Sequence, residues 1–492
     1  MRQTIWLFLG LSLFLLGSLP VQAEEQKVNE EIIYKIMVDR YNNGDSNNDQ
    51  QVDIDDPDTY HGGDLQGIIQ RLGELEQTGV TTISLSPIMA NAENGYHGYW
   101  IEDFQQIEEQ YGTMEDLHQL IDEAHQHDIK VVLEFVTNYA AEDHPLSVES
   151  AASALAGEDV DPTWAEQAAV LDQEDERVRN MLREAADFWM EETDIDGFYL
   201  HAADQASMDF LADFTQYIKG KDEEFYLFGN ILAQEDSKDI LMENTEVDAV
   251  DNLHMQEVLR ETFAEVDQPI TEVYEVWEEN GRESDIVFMD TFYTDRFTQI
   301  FAENGRNNLT AWTLALTYLY TSPGVPAILQ GTELPMYGEG AEGSQRLVPH
   351  NSGEPEVKEF HDRISSLREE FDVLVHGDFE LAGSSGAMSV FKRTFEGETM
   401  YIAINNGSES GVVPLSEVGS GKQLRGYLAD NIVREDENGN HKIGIPRESV
   451  EVYAIEPDAG LNWSLIGFAG GVILLFTGGV VYLSLKQRKR KA

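Results

Sequence analysis

With 492 residues, 41% of them hydrophobic and 10% aromatic, the chain is too long for one small core and reads as a large globular body with a smaller companion. Its 92 acidic residues against 32 Lys and Arg give a formal charge of −60 at pH 7, which excludes nucleic acid and anionic headgroups as partners of the body and suits solubility in a saline or alkaline medium. Cysteine is absent, so disulfides and thiolate metal sites are excluded and stability must come from a core.

In chain order, residues 1–23 carry Arg2, an apolar run over 5–19 and then Val21-Gln22-Ala23, the pattern of a secretory signal peptide with cleavage expected after Ala23. The run 31–37 predicts a strand. Beyond it the pattern predicts a helix at 68–77, a strand at 82–86, a helix at 114–127, a strand at 130–135, a helix at 175–192 and a strand at 197–201. A helix from Asp204, strands at 225–228, 247–250 and 286–289, a helix at 308–320 and a strand at 327–329 follow. Eight strand candidates alternating with helices predict an α/β fold, a (β/α)8 TIM barrel spanning 24–376. The alternative, an open doubly wound sheet, is disfavoured because no Gly-rich phosphate loop follows the first strand. The segment at about 140–170 is too long for a strand-to-helix connection and predicts a short inserted excursion after strand three.

From Gly377 the period changes to two, with Gly, Asn and Ser turns, and predicts a C-terminal all-β domain over 377–456. Residues 457–462 read as a linker. The stretch 463–485 holds no charge and is long enough for one transmembrane helix across about 30 Å of hydrocarbon. The tail 486–492 is basic, which predicts a cytoplasmic end and an extracellular body held at the outer face of a bacterial cell membrane.

A series of motifs runs through the body. It comprises Ile33-Tyr34 with Asp39-Arg40-Tyr41, Tyr60-His61-Gly62-Gly63-Asp64, Ser86-Pro87-Ile88, Tyr96-His97-Gly98-Tyr99-Trp100, Tyr111-Gly112-Thr113 and Gly331-Thr332-Glu333. In order, across roughly 31–456, the set resembles the α-amylase family of glycoside hydrolases, and looks most like its bacterial cyclodextrin- and maltodextrin-processing members. The resemblance breaks at the catalytic positions. Gly197-Phe198-Tyr199-Leu200-His201 resembles the family's G-F-R-L-D strand with Tyr199 for the Arg and His201 for the nucleophile, and Asn230 stands at the general acid. The family's N-H-D triplet has become Thr291-Phe292-Tyr293, and the strand that ends in N-H keeps Asn138 but has Tyr139 for the His and Glu134 for an Asp.

Retaining cleavage of a glycoside needs a nucleophilic carboxylate and an acid about 5 Å apart. Asn donates no catalytic proton, and neutral His offers no anion to an oxocarbenium ion. The resemblance therefore implies a carbohydrate-metabolism protein that is a pseudoenzyme, with no catalytic residue at His201, Asn230 or Tyr293. It implies sugar binding by His97 and Tyr99, with an α-glucan or oligosaccharide as ligand. It also implies a structural Ca²⁺ held by Asn43, Asp45, Asn48, Asp49, the Gly62 carbonyl and Asp64, a set of hard oxygen donors. Two alternatives stay open: a protein-docking body for a membrane-protein partner, its cleft filled by Tyr199, Phe292 and Tyr293, or an enzyme that recruits Glu134, Asp204, Asp290 or Glu333.

Overall fold

The computed structural model describes residues 28–155, 162–234, 236–458, 460, 467–468, 470–480 and 486. Eight strands close a parallel barrel: Ile33–Ile36, Thr82–Leu85, Lys130–Val136, Gly197–His201, Tyr226–Gly229, Ala249–Asp251, Asp285–Phe288 and Val325–Leu329. The last pairs back onto the first, Ile33 beside Ala327, and the chain order of neighbours is unbroken around the ring. The barrel expectation holds at all eight positions, with ends shifted by a residue or two.

Alternation along each strand divides the barrel into inside and outside. Ile33, Val132, Tyr199, Phe228, Ala249 and Ile286 fill the interior as one apolar cluster, while Tyr34, Leu133, Phe198 and Leu200 pack outward against the helices. Two residues further along the strands, the inward positions reach the mouth.

The excursion after the third strand is a folded unit. Tyr139–Ala141, Ala168–Leu171 and Ser147–Ser150 form a three-stranded sheet. The C-terminal domain holds a six-stranded antiparallel sheet and a two-stranded ribbon, Gly411–Leu415 with His441–Ile445. Buried Arg393 docks it to the barrel by donating to the carbonyls of Thr321 (2.6 Å) and Val375 (3.1 Å).

Among the described residues no helix is long and apolar enough to cross a membrane, so the helix expected over 463–485 is not found there. Residues 470–480 are helical, with Leu474, Leu475 and Phe476 about three-quarters exposed, but they span only about 16 Å at 1.5 Å per residue. The rest of that stretch, apart from 467–468, lies outside the described residues, as do residues 1–23, where a signal peptide is expected, and all of the tail except Lys486.

Candidate functional site at the barrel mouth

The mouth is a ring of polar side chains standing on the apolar floor. Lys35, Glu134, His201 and Asp251 come from inward positions at the ends of their strands, and Asn230 and Asp290 from one or two residues beyond theirs. They form two hydrogen-bonded groups.

In the first group His201 Nδ1 lies 2.6 Å from Glu134 Oε1, and the Tyr99 hydroxyl donates to the same carboxylate at 3.0 and 3.1 Å. The Tyr293 hydroxyl donates to that of Tyr99 at 2.7 Å. A carboxylate acceptor places the proton on His201 Nδ1, and Nε2 has no partner among the described residues. Burial, then the Glu134 charge, pushes the Tyr99 and Tyr293 phenols well above their ordinary pKa, so both remain neutral donors.

In the second group Asp251 accepts from the Tyr199 hydroxyl at 2.5 Å, Asn230 Nδ2 at 2.8 Å and Lys35 Nζ at 3.2 Å. The Lys35 ammonium also lies 4.4 Å from the Tyr199 ring centroid and 5.0 Å from that of Phe288. The cation that the resemblance expects at position 199 is thus supplied from the first strand. Asn230 has a further task. Its Oδ1 accepts from Ala202 N (3.1 Å) while Asn138 Nδ2 donates to Ala202 O (3.0 Å), which together hold Ala202 at φ +45° straight after His201. Such a backbone costs on the order of 1 kcal/mol and persists where neighbours fix it.

The mouth opens into a cavity of about 420 Å³ whose floor is Lys35, Glu134, Asn230 and Asp251 and whose wall includes Ile231, Leu232 and Phe292. Asp204 accepts from the N–H groups of Leu232, Ala233 and Gln234 at 2.8, 3.0 and 2.9 Å, so this acid holds the wall in place. Asp290 caps Phe297 N at 2.6 Å at the edge of the cavity. Glu333 points away from the mouth and accepts from Tyr34 outside the barrel. Of the acids singled out in the sequence, Glu134 and Asp290 reach the cavity. Asp251 and Lys35 complete it unannounced, one on a three-residue strand predicted to end at 250, the other inside an apolar run.

His97 and Tyr99 are brought together, with rings stacked at 5.5 Å, yet both are 1% exposed. The Tyr99 ring is covered by His201 at 4.4 Å and Trp164 at 5.4 Å, and Tyr99 lines the cavity while His97 lies behind it. Burial, then the positive charge of Arg40 and the His201 ring, lowers the His97 pKa to about 3. Trp164, from the excursion, also packs on Tyr139 at 4.8 Å, and its carbonyl accepts from Trp100 Nε1 at 2.6 Å. Sequence alone gave no sign of this aromatic cover.

The loop expected to hold calcium is brought together in part. Asn43 Nδ2 lies 2.9 Å from Asp49, and a Cβ on Gly62 would meet both side chains, at 2.5 and 2.9 Å, so these three residues enclose one small cradle of oxygen-bearing groups. The Asn43 amide donates to Asp49 there, and among the described residues no group of three or more acidic or histidine side chains converges to hold a metal ion. Asp64 is committed elsewhere: it caps the helix Leu65–Ile69 through Gly67 N (2.6 Å) and accepts from Gly44 and Asp45 N. Asp45 Oδ1 accepts from Asn47, and Asn48 donates its N–H to the Asp45 carbonyl.

Comparison with known proteins agrees with this architecture. The model of the α-amylase catalytic domain matches residues 35–166 and 162–370, and that of the α-amylase C-terminal domain matches 377–453. The solved α-amylase from Anoxybacillus is 36% identical with a TM-score of 0.81, covering 88% of this chain and 99% of its own. The α-amylase of Geobacillus thermoleovorans, solved with acarbose, is 33% identical with a TM-score of 0.79 over the same shares. A cyclomaltodextrinase from Thermoanaerobacter pseudethanolicus is 25% identical over 421 residues, 79% of this chain and 72% of that protein.

Proposed function

Since the chain belongs to the α-amylase family of glycoside hydrolases, we propose that it is an extracellular, membrane-anchored member that binds α-glucan or a related oligosaccharide at its barrel mouth without hydrolysing it. The observation that carries this reading is the use of the hydrogen bonds at the mouth. Glu134 is taken by His201 and Tyr99, and Asp251 by Tyr199, Asn230 and Lys35. Retaining cleavage needs one carboxylate free to attack the anomeric carbon and a second, protonated, beside the leaving oxygen. Neither Glu134 nor Asp251 is free in this way, and His201, Asn230 and Tyr293 spend their hydrogen bonds on neighbours.

Sugar binding rests on the cavity and on the likeness to the relative solved with acarbose. Anchoring rests on the uncharged stretch 463–485, its exposed apolar helix at 470–480 and the basic tail. A structural Ca²⁺ at Asn43, Asp49 and Gly62 would tie the loop after the first strand to the barrel. Calorimetry with maltooligosaccharides and an assay of reducing ends from soluble starch test the reading together. Saturable heat with no release of reducing ends is expected. Hydrolysis of starch at rates typical of amylases overturns the inactive part, and absence of heat at millimolar sugar overturns the binding part.

A second reading, a protein-docking body, draws on the aliphatic wall of Ile231 and Leu232 and on Phe292, which are less polar than a sugar cleft requires. Cross-linking in membranes that returns no reproducible partner counts against it.

A further inference from the structure

The polar ring forms only part of the cavity at the mouth. Ile231, Leu232 and Ala233 line it in succession, and Leu253, Phe292 and Ile300 add three more apolar side chains. One space of about 420 Å³ thus has a polar floor, with Lys35, Glu134, Asn230 and Asp251, and a hydrocarbon wall.

The wall is built into the fold. Asp204 gathers the three successive backbone N–H groups of Leu232, Ala233 and Gln234, and takes a fourth donor, Gln205 Nε2, at 2.7 Å. At Phe292 the carbonyl accepts from Gln345 Nε2 at 3.0 Å, and the N–H of the next residue, Tyr293, donates to Thr291 Oγ1 at 3.2 Å. Neither Asp204 nor Gln345 lines the cavity, so both segments are fixed by groups that a ligand would not disturb.

The same bonds decide what the wall can take. The N–H groups of Leu232 and Ala233 are spent on Asp204, and their side chains carry no polar atom. A sugar hydroxyl pressed against them would lose its water and gain no partner. An alkyl or aryl group there removes apolar surface from water on both sides of the contact.

We propose that the mouth takes its oligosaccharide as a glycoside, with the sugar over the polar floor and an apolar aglycone, alkyl or aryl, against the wall at 231–233. The inference rests on the reading of the mouth as an oligosaccharide site and adds to it the class of ligand, with Leu232 and Phe292 as specificity-determining residues.

The test is calorimetry on the full chain in phosphatidylcholine nanodiscs, corrected with empty nanodiscs, comparing para-nitrophenyl α-maltoside with methyl α-maltoside, which carry the same sugar. The aryl glycoside is expected to bind about tenfold more tightly, or better. Leu232→Asn should remove this preference by weakening the aryl glycoside, and Ile432→Ser, on an exposed strand of the C-terminal domain, should leave it intact. Should Leu232→Asn fail to fold, Leu253→Asn, at a half-buried position of the same wall, is to show the same loss. Equal saturable heats in the wild type, or a preference kept in a folded Leu232→Asn chain, overturn the inference and leave the mouth a sugar site. Binding of para-nitrophenol as tight as that of its maltoside also overturns it, since the sugar would then contribute nothing. No heat with either maltoside overturns the reading of the mouth itself, and the inference with it.

Discussion

Glu134 Oε1 and His201 Nδ1, on adjacent parallel strands, are 2.6 Å apart at the mouth of the barrel. Restoring an aspartate at 201 would therefore set two carboxylates against each other. The combined variant Tyr199→Arg, His201→Asp, Asn230→Glu and Tyr293→Asp would also bring a guanidinium toward Lys35 and a second acid toward Asp251. It is expected to release no reducing ends from starch and to melt below the wild type. Robust hydrolysis at wild-type stability would show that the surroundings still fit the chemistry.

Glu134→Gln keeps shape but replaces an anionic acceptor shared by His201 and Tyr99. One buried donor loses its best partner, at a cost of about 1–3 kcal/mol. Chemical denaturation should report this loss. Activity on aryl glucosides present in the wild type and absent in the variant would instead make Glu134 a recruited catalytic acid.

Lys35→Met should be among the most damaging single changes at the mouth, because Asp251 is 1% exposed and would be left without its cation. Breaking a buried pair costs about 3–5 kcal/mol. Adding Asp251→Asn to the same chain should recover part of the loss. Equal melting temperatures for the single and double variants would mean that the pair is not coupled.

For His97 the folded pKa, about 3, lies below the ordinary 6.5, so the unfolded chain takes up the proton more readily. Its contribution to stability is full above pH 6.5 and is lost as pH falls from there toward 3. Melting temperatures between pH 7 and pH 4 should drop less steeply for His97→Asn than for the wild type. Parallel curves would contradict the assigned burial of the neutral ring.

Excess chelator is expected to lower the melting temperature, since a cation held by the folded state alone adds stability by mass action. Asp49→Ala should reproduce the chelated curve and should not respond further to chelator. A wild-type curve that chelator leaves unmoved removes calcium from the loop.

The barrel was legible in the sequence because strands buried on both faces are apolar runs, and eight of them alternate with amphipathic helices. The C-terminal domain was legible through its change to period two. What escaped was register. Lys35 sits in an apolar run, and nothing in its neighbours says that it, rather than Tyr34, faces the axis. Asp251 ends a strand of three residues, too short to carry a period. Trp164 reaches the mouth through a sheet whose pairing, Tyr139 with Val170, is a tertiary fact. His97 was recognised by motif, but a motif does not tell a ring that meets a ligand from one sealed behind it.

The closed wiring of the mouth also bears on how such a chain can change. His201 serves Glu134, Tyr293 serves Tyr99, and Asn230 serves both Asp251 and the backbone at Ala202. Altering any one strands a buried partner, so single-step routes away from this arrangement pass through less stable chains, and only coordinated changes avoid them. The mouth therefore works as a ratchet: once its side chains have come to satisfy one another, selection for folding alone keeps them, whether or not any ligand is ever bound.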